Sequence, residues 1–214
     1  MSVRGGGVER KAAGLRRLPR ITASLMIVSG VVGLAVVFVG VSLLRPQPRT
    51  FAPSPVLEQA PPSPLEGVQV RTVEATDPDR WRFFSLERGS VVEVPGPDEW
   101  DLGMRRFQVM VNGGDGFAGL AGVQLLAGAE FEAIDRLPAE GYVQAEVRGD
   151  SLNPAVQEWY DYSLFSHLLT PRPEVFAVRT ARGGHAKLQF LGYYCPGPQP
   201  GCVTFRYRFL PTED

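Results

Sequence analysis

Two histidines, two cysteines and one glycine-rich run are the parts of this sequence whose residue types and spacing could do chemistry. His167 lies in "WYDYSLFSHLLTP" and His185 in "GGHAKLQF". A nucleophile served by a histidine base needs a hydroxyl or thiol presented beside it, and neither Ser163 nor Ser166 sits on a nucleophile elbow. No H-E-x-x-H run and no paired-carboxylate signature occurs, and Asp161 and Glu158 have no diagnostic spacing. No catalytic residues are therefore assigned, and the reading is a non-enzymatic protein. A histidine flanked by Leu168 and Leu169 is more often a hydrogen-bonded framework residue than a ligand.

The run "GDGFAG", Gly114 to Gly119, has the G-x-G-x-x-G spacing of a dinucleotide loop. Such a loop needs a helix opening at its glycines within a βαβ unit, whereas Gly122 and Gly128 follow here in β-rich sequence. These glycines read as loop residues needing positive φ. Cys195 and Cys202 flank Pro-Gly turn material in "YYCPGPQPGCVTF", one ending a strand and one opening the next. In an oxidising compartment they are expected to form a disulfide stapling the hairpin, because two thiols without further ligands make a poor zinc site. The aromatic cluster Trp159, Tyr160, Tyr162 and Phe165 could line a pocket for a large planar ligand, but burial in the core is the preferred expectation.

The elements that must position these residues are mostly strands. Phe107, Val109 and Val111 alternate with Arg106, Gln108 and Met110, and Val143, Ala145 and Val147 alternate with Tyr142, Gln144 and Glu146. "EVFAVRT", "AKLQFLGYY" and the closing Val203, Phe205, Tyr207 and Phe209 continue the pattern. Only "AEFEAIDRLP" suggests a short helix. The expected fold class is all-β and mostly antiparallel.

Residues 21–44 are different: no charge and no proline, over roughly 24 residues that reach about 36 Å, enough to cross a hydrocarbon core. The run exceeds the apolar core of a cleaved signal, which is about 7–15 residues, so an uncleaved transmembrane helix is expected. No Cys follows it for lipidation. Arg4, Arg10, Lys11, Arg16, Arg17 and Arg20 against Glu9 mark residues 1–20 as a basic cytoplasmic tail, which sends the carboxyl-terminal part across the inner membrane to the periplasm or cell exterior. Prolines spaced through residues 45–67 predict a semi-rigid spacer. Residues 68–214 form the β domain, and their 14 Lys and Arg against 20 Asp and Glu exclude a nucleic-acid footprint.

"WDLGMRRFQVMVNGG", then "WYDYSLFSHLLTPRPEVFAVRTARGGHAKLQFLGYY" and "VTFRYRF", resembles the HmuY family of extracytoplasmic heme-binding proteins, over nearly all of the β domain. The resemblance implies an all-β fold and capture of iron porphyrin for uptake. It gives the opening stretch an architectural role: Trp100 anchoring a strand, Arg105 or Arg106 pairing with carboxylates or carbonyls, and Asn112-Gly113 turning the chain. Familiar members are lipid-anchored, whereas this chain carries a transmembrane segment. Family ligation resembles a pair of histidines or methionines approaching iron from opposite faces. His167 and His185 are thereby candidate heme ligands; Met104 and Met110 lie in the opening strand. The rival expectation is an accessory subunit of a respiratory or photosynthetic membrane complex, packed through Ser29, Gly30, Gly33, Ala35 and Gly40. Any metal other than heme iron stays unassigned.

The charge asymmetry around residues 21–44 generates a direct test. A reporter active only outside the cytoplasm, fused after Asp214, is expected to give signal, and activity of a cytoplasm-only reporter at the same position would reverse the assigned topology.

Overall fold

A computed structural model describes residues 20–43, 46–58, 65–146 and 153–213. Most of the basic tail, Leu44, Arg45, residues 59–64 and Val147 lie outside the described residues. The chain divides into two compact units, Met1–Pro46 and Gln47–Asp214. In the first, α1 (Arg20–Leu43) is one continuous helix of 24 residues. By length and composition it is apolar enough over Ser24–Val41 to cross a membrane.

The second unit is all-β: β1 (Gln69–Glu74), β2 (Arg82–Ser85), β3 (Ser90–Val92), β4 (Leu102–Arg105), β5 (Gln108–Val111), β6 (Gly122–Leu126), β7 (Tyr160–Tyr162), β8 (Leu169–Pro171), β9 (Val175–Arg179), β10 (His185–Cys195) and β11 (Gln199–Phe209). A five-stranded antiparallel sheet runs β1-β11-β10-β9-β6, a four-stranded one β3-β2-β4-β5, and β7 and β8 form a separate hairpin. The two sheets meet through aromatic rings. Phe84 of β2 lies edge-on to Phe205 and Tyr207 of β11, at 5.1 and 6.3 Å, and the Tyr207 hydroxyl donates to the Leu86 carbonyl at 2.9 Å. Leu102, Met104, Val109 and Val111 from one sheet and Val73, Phe176, Leu188 and Val203 from the other complete the core.

Several sequence expectations change at the opening stretch. Arg106 and Phe107 do not continue a strand; they form the two-residue turn between β4 and β5, with Arg106 at φ 54° and Phe107 exposed. Arg106 then donates to the carbonyls of Thr76 and Pro200, both at 3.2 Å, which fixes that unusual turn residue. Asn112-Gly113 is not a hairpin turn either. Asn112 is buried and donates to the carbonyls of Pro97 and Trp100 while its side-chain oxygen accepts from Gly119. A Cβ on Gly113 would collide with the backbone of Ala121, so close chain approach, not a turn, requires that glycine. In "GDGFAG", Gly114 and Gly116 have positive φ, but Gly119 is needed for contact with the Asn112 carbonyl. The expected short helix in "AEFEAIDRLP" is a single 3-10 turn, Phe131–Ala133.

Cys195 and Cys202 form the expected disulfide across the β10–β11 hairpin. Of the proline-rich stretch, residues 50–57 lie against the β unit and are no free spacer. Thr50 bridges to Tyr194, Ser54 exchanges two hydrogen bonds with Thr72, and the Leu57 N–H donates to Ser90 Oγ. Prolines suit this path because an edge-lying extended segment leaves many of its own N–H groups unused.

Asp101, beside Trp100, accepts at both carboxylate oxygens: from the Leu86 N–H and the Ala181 N–H, each at 2.7 Å. Burial pushes its pKa from the usual 3.8 up to about 6, against the pull of those two donors. A carboxyl whose folded pKa lies above its unfolded one holds its proton more tightly when folded. Its contribution to stability is therefore complete below about pH 4 and is lost as pH rises to about 6, by up to about 3 kcal/mol. In Asp101→Asn, one oxygen becomes an NH2 group facing an N–H donor, so the variant is expected to be about 1–3 kcal/mol less stable at pH 4. Denaturant titrations of both proteins should show this gap narrowing between pH 4 and 6, and a gap that widens would reverse the assigned sign.

Candidate ligand-binding hairpin

The β7–β8 hairpin projects its loop while its base is locked to the core. Trp159, just before β7, is fully buried, stacks on Phe190 at 4.4 Å and donates its indole N–H to the Phe107 carbonyl at 2.9 Å. The Leu169 N–H donates to the Tyr194 hydroxyl, and the Arg172 N–H to the Trp159 carbonyl, both at 2.9 Å. Arg172 also pairs with Asp161 across the hairpin at 2.8 Å. That pair is largely exposed and serves alignment more than stability.

Beyond this base, Ser163 and Leu168 close a four-residue loop, Leu164 to His167, through the Ser163 N–H to the Leu168 carbonyl and the His167 N–H to the Ser163 carbonyl. The geometry requires a left-handed residue at its last position, where His167 stands at φ 56°. Histidine tolerates that region better than most, but glycine would hold it at no steric cost. The His167 Nδ1 lies 2.8 Å from the Tyr162 hydroxyl, and Nε2 forms no hydrogen bond among the described residues. When Nδ1 carries the proton it donates to the tyrosine oxygen, which leaves the Nε2 lone pair free on an exposed ring. Around it stand Tyr162, Leu164 and Phe165, exposed by 53%, 76% and 97%. The aromatic cluster expected in the core is thus divided: Trp159 is buried, Tyr160 half-buried, and Tyr162 and Phe165 face solvent.

His185 is placed differently. It opens β10, its ring lies 5.3 Å from that of Tyr142, and its Nε2 is buried without a hydrogen-bond partner. Burial, with the Arg179 guanidinium nearby, pushes its pKa below the usual range. The hairpin is tied to Tyr194, nine residues further along β10, so roughly 30 Å of strand separates the two histidine neighbourhoods. The structure does not bring His167 and His185 together. Met104 and Met110 are both buried, the latter folded over Gly103. Among the described residues no three His, Cys, Asp or Glu side chains gather as a metal-ion site.

These features can be set beside known proteins. The HmuY protein family matches residues 77–207, more than half of the sequence. The chain belongs to the HmuY family. Three solved structures share its fold. Apo PinO from Porphyromonas gingivitis is 17% identical with a TM-score of 0.55, covering 70% of this chain and all of its own. The apo HmuY analog TFO of Tannerella forsythia is 19% identical with a TM-score of 0.51, covering 67% of this chain and 96% of its own. A protein from Bacteroides vulgatus, described as HmuY-like and heme-binding, is 20% identical with a TM-score of 0.52, covering 65% and 90%. At such identities the likeness establishes the fold and leaves function to the site itself. No curated protein matches the chain.

Sequence reasoning named His167 but not the property that distinguishes it from His185. Four residues between strand-like dipeptides, ending in a residue able to adopt positive φ, were the available signal. The left-handed backbone at His167 yields a test. His167→Gly is expected to leave stability unchanged or slightly raised, while His167→Val, β-branched at positive φ, should cost about 1–2 kcal/mol. Equal losses in chemical denaturation would show that the side chain, and not its backbone position, matters to the fold.

Proposed function

We propose that this HmuY-family protein is a membrane-anchored, non-enzymatic heme-binding protein whose β unit lies outside the cytoplasm. The apolar span at residues 21–44 would hold it in the cytoplasmic membrane, with its amino terminus inside. One observation carries the heme reading: an imidazole with an unbonded Nε2, oriented through Nδ1 by Tyr162, set among exposed Leu164 and Phe165 on a hairpin locked to the core.

The residues present fit the group. Heme, when bound, would supply an iron that takes a neutral imidazole nitrogen and a flat apolar ring for side chains to cover. His167 would provide that nitrogen, and Tyr162 would hold the tautomer and ring direction. Leu164 and Phe165 would exchange contact with water for contact with the porphyrin. Burying one such side chain is worth about 1.5–3 kcal/mol, so two of them would add usefully to the bond His167 would make. His185, with a buried Nε2, would stay in the framework.

Hemin titrated into the full-length protein in mild detergent should give a saturable Soret shift. His167→Gly should abolish it, and His185→Ala should retain it. No saturable shift in the unaltered protein would overturn the reading and favour the accessory-subunit alternative, which expects co-purification with a defined membrane complex instead.

A further inference from the structure

We infer that residues 50–54 are a strap coupling the chain that leaves α1 to the base of the β7–β8 hairpin, with Tyr194 as the residue common to both.

Only six residues separate Leu43, at the end of α1, from Thr50, where the first backbone pairing of the β unit among the described residues occurs. Thr50 bridges to Tyr194 in parallel, and the Phe51 N–H donates to the Tyr194 carbonyl at 2.8 Å. Three residues on, Ser54 donates its N–H to the Thr72 carbonyl and accepts from the Thr72 N–H at Oγ, both at 2.9 Å. Phe51 is thereby fixed at β10 and Ser54 at β1, on either side of β11. Three extended residues reach about 10 Å, the width of two strand spacings, so the strap crosses β11 with little slack.

Gly192 shows that the crossing is built in. Its φ lies outside the left-handed region, so backbone conformation does not require a glycine there. A Cβ would instead collide with the Phe51 ring, which makes the missing side chain a notch for that ring. β10 slips its register against β11 on both sides of Gly192, as a strand does where a bulge re-aims it. In the same row Gly192 pairs with Thr204 and Thr204 with Thr72, and the hydroxyls of the two buried threonines lie 3.0 Å apart. Pro53 and Pro55 hold the strap extended, while Ala52 and Pro53 face solvent and leave half-buried Phe51 and Ser54 as its points of attachment.

The side chain of Tyr194 serves the hairpin. Its hydroxyl accepts the Leu169 N–H at 2.9 Å. Leu169 opens β8, and the carbonyl of Leu168 beside it closes the loop onto Ser163. One residue thus takes the strap at its carbonyl and the hairpin at its phenol. A strap seated in the notch keeps the hairpin base packed, and a pull on the chain leaving α1 would reach Tyr194 before any other part of the sheet. Coupling between sites is carried by contiguous packed and hydrogen-bonded groups, and here the route is Phe51, Tyr194, Leu169. No ligand enters this route, so it stands or falls apart from the heme reading.

Amide hydrogen exchange on the full-length protein in mild detergent tests the route. Phe51→Ala empties the notch and Gly192→Ala fills it, so each unseats the strap without touching the hairpin sequence. In both variants exchange at the Leu169 amide is expected to rise at least about fivefold, while Ala177, buried in the middle of β9, keeps its protection. Tyr194→Phe removes the acceptor itself, and adding Phe51→Ala to it should accelerate Leu169 no further. Strap variants that speed exchange at Thr72 but leave Leu169 unchanged would overturn the coupling. Equal acceleration at Leu169 and Ala177 would overturn it too, because it would mark general loosening of the sheet.

Discussion

A buried carboxylate sets the frame on which everything else in the β unit depends. Asp101 immediately precedes β4, yet its two oxygens hold the N–H of Leu86, just after β2 of one sheet, and the N–H of Ala181, just after β9 of the other. Its own N–H donates to the Phe84 carbonyl and its carbonyl accepts from Asn112. Asn112 in turn binds the carbonyls of Pro97 and Trp100 and the N–H of Gly119. Each of these buried groups would be costly to leave without its partner, so the hydrogen bonds hold the segments in place. Hydrophobic contact alone would let two sheets slide; four backbone groups from three segments bound to one residue give them a register. Trp100, next to Asp101 in the chain, is buried and packs against Phe83 and Phe117, at 4.7 and 5.7 Å.

From that frame a second anchor carries the hairpin. Trp159 sits between Phe190 of the large sheet and the Phe107 carbonyl at the β4–β5 turn, so it touches both sheets. The turn that receives it is the one whose Arg106 is tied back to Thr76 and Pro200. The hairpin base is thus tied to both sheets, while the loop beyond Ser163 is held by hydrogen bonds within itself.

Much of the fold was legible in the sequence because β-branched and aromatic residues alternate over β9, β10 and β11, and because the cysteines flank a Pro-Gly turn. The opening stretch was harder. Alternation ran through Arg106 and Phe107 as if the strand continued, since a two-residue turn without glycine gives no breaker signal and the positive φ falls on an arginine held by distant carbonyls. Asn112-Gly113 carried a strong turn signal that tertiary packing overrode, because the asparagine is worth more as a buried hub than on a loop. Asp101 was one carboxylate among many; only the folded chain shows which backbone donors it meets. Spacing could point to His167 and His185 alike; the folded chain shows that His185 Nε2 is buried while the His167 ring is exposed.

The hairpin loop breaks the rules that the rest of the unit obeys. Its most exposed residues are apolar, and a histidine occupies a backbone position that glycine would hold with less strain. Each choice costs solubility or stability in a lone chain, and neither contributes to the core, which is complete without them. Local departures of this kind concentrate where a sequence serves a function other than folding. The strain at His167 and the exposure of Phe165 have a common explanation if the loop is shaped for a surface absent from the isolated chain. The left-handed residue carries an exposed imidazole held by Tyr162, and a fully exposed phenyl ring stands two positions before it.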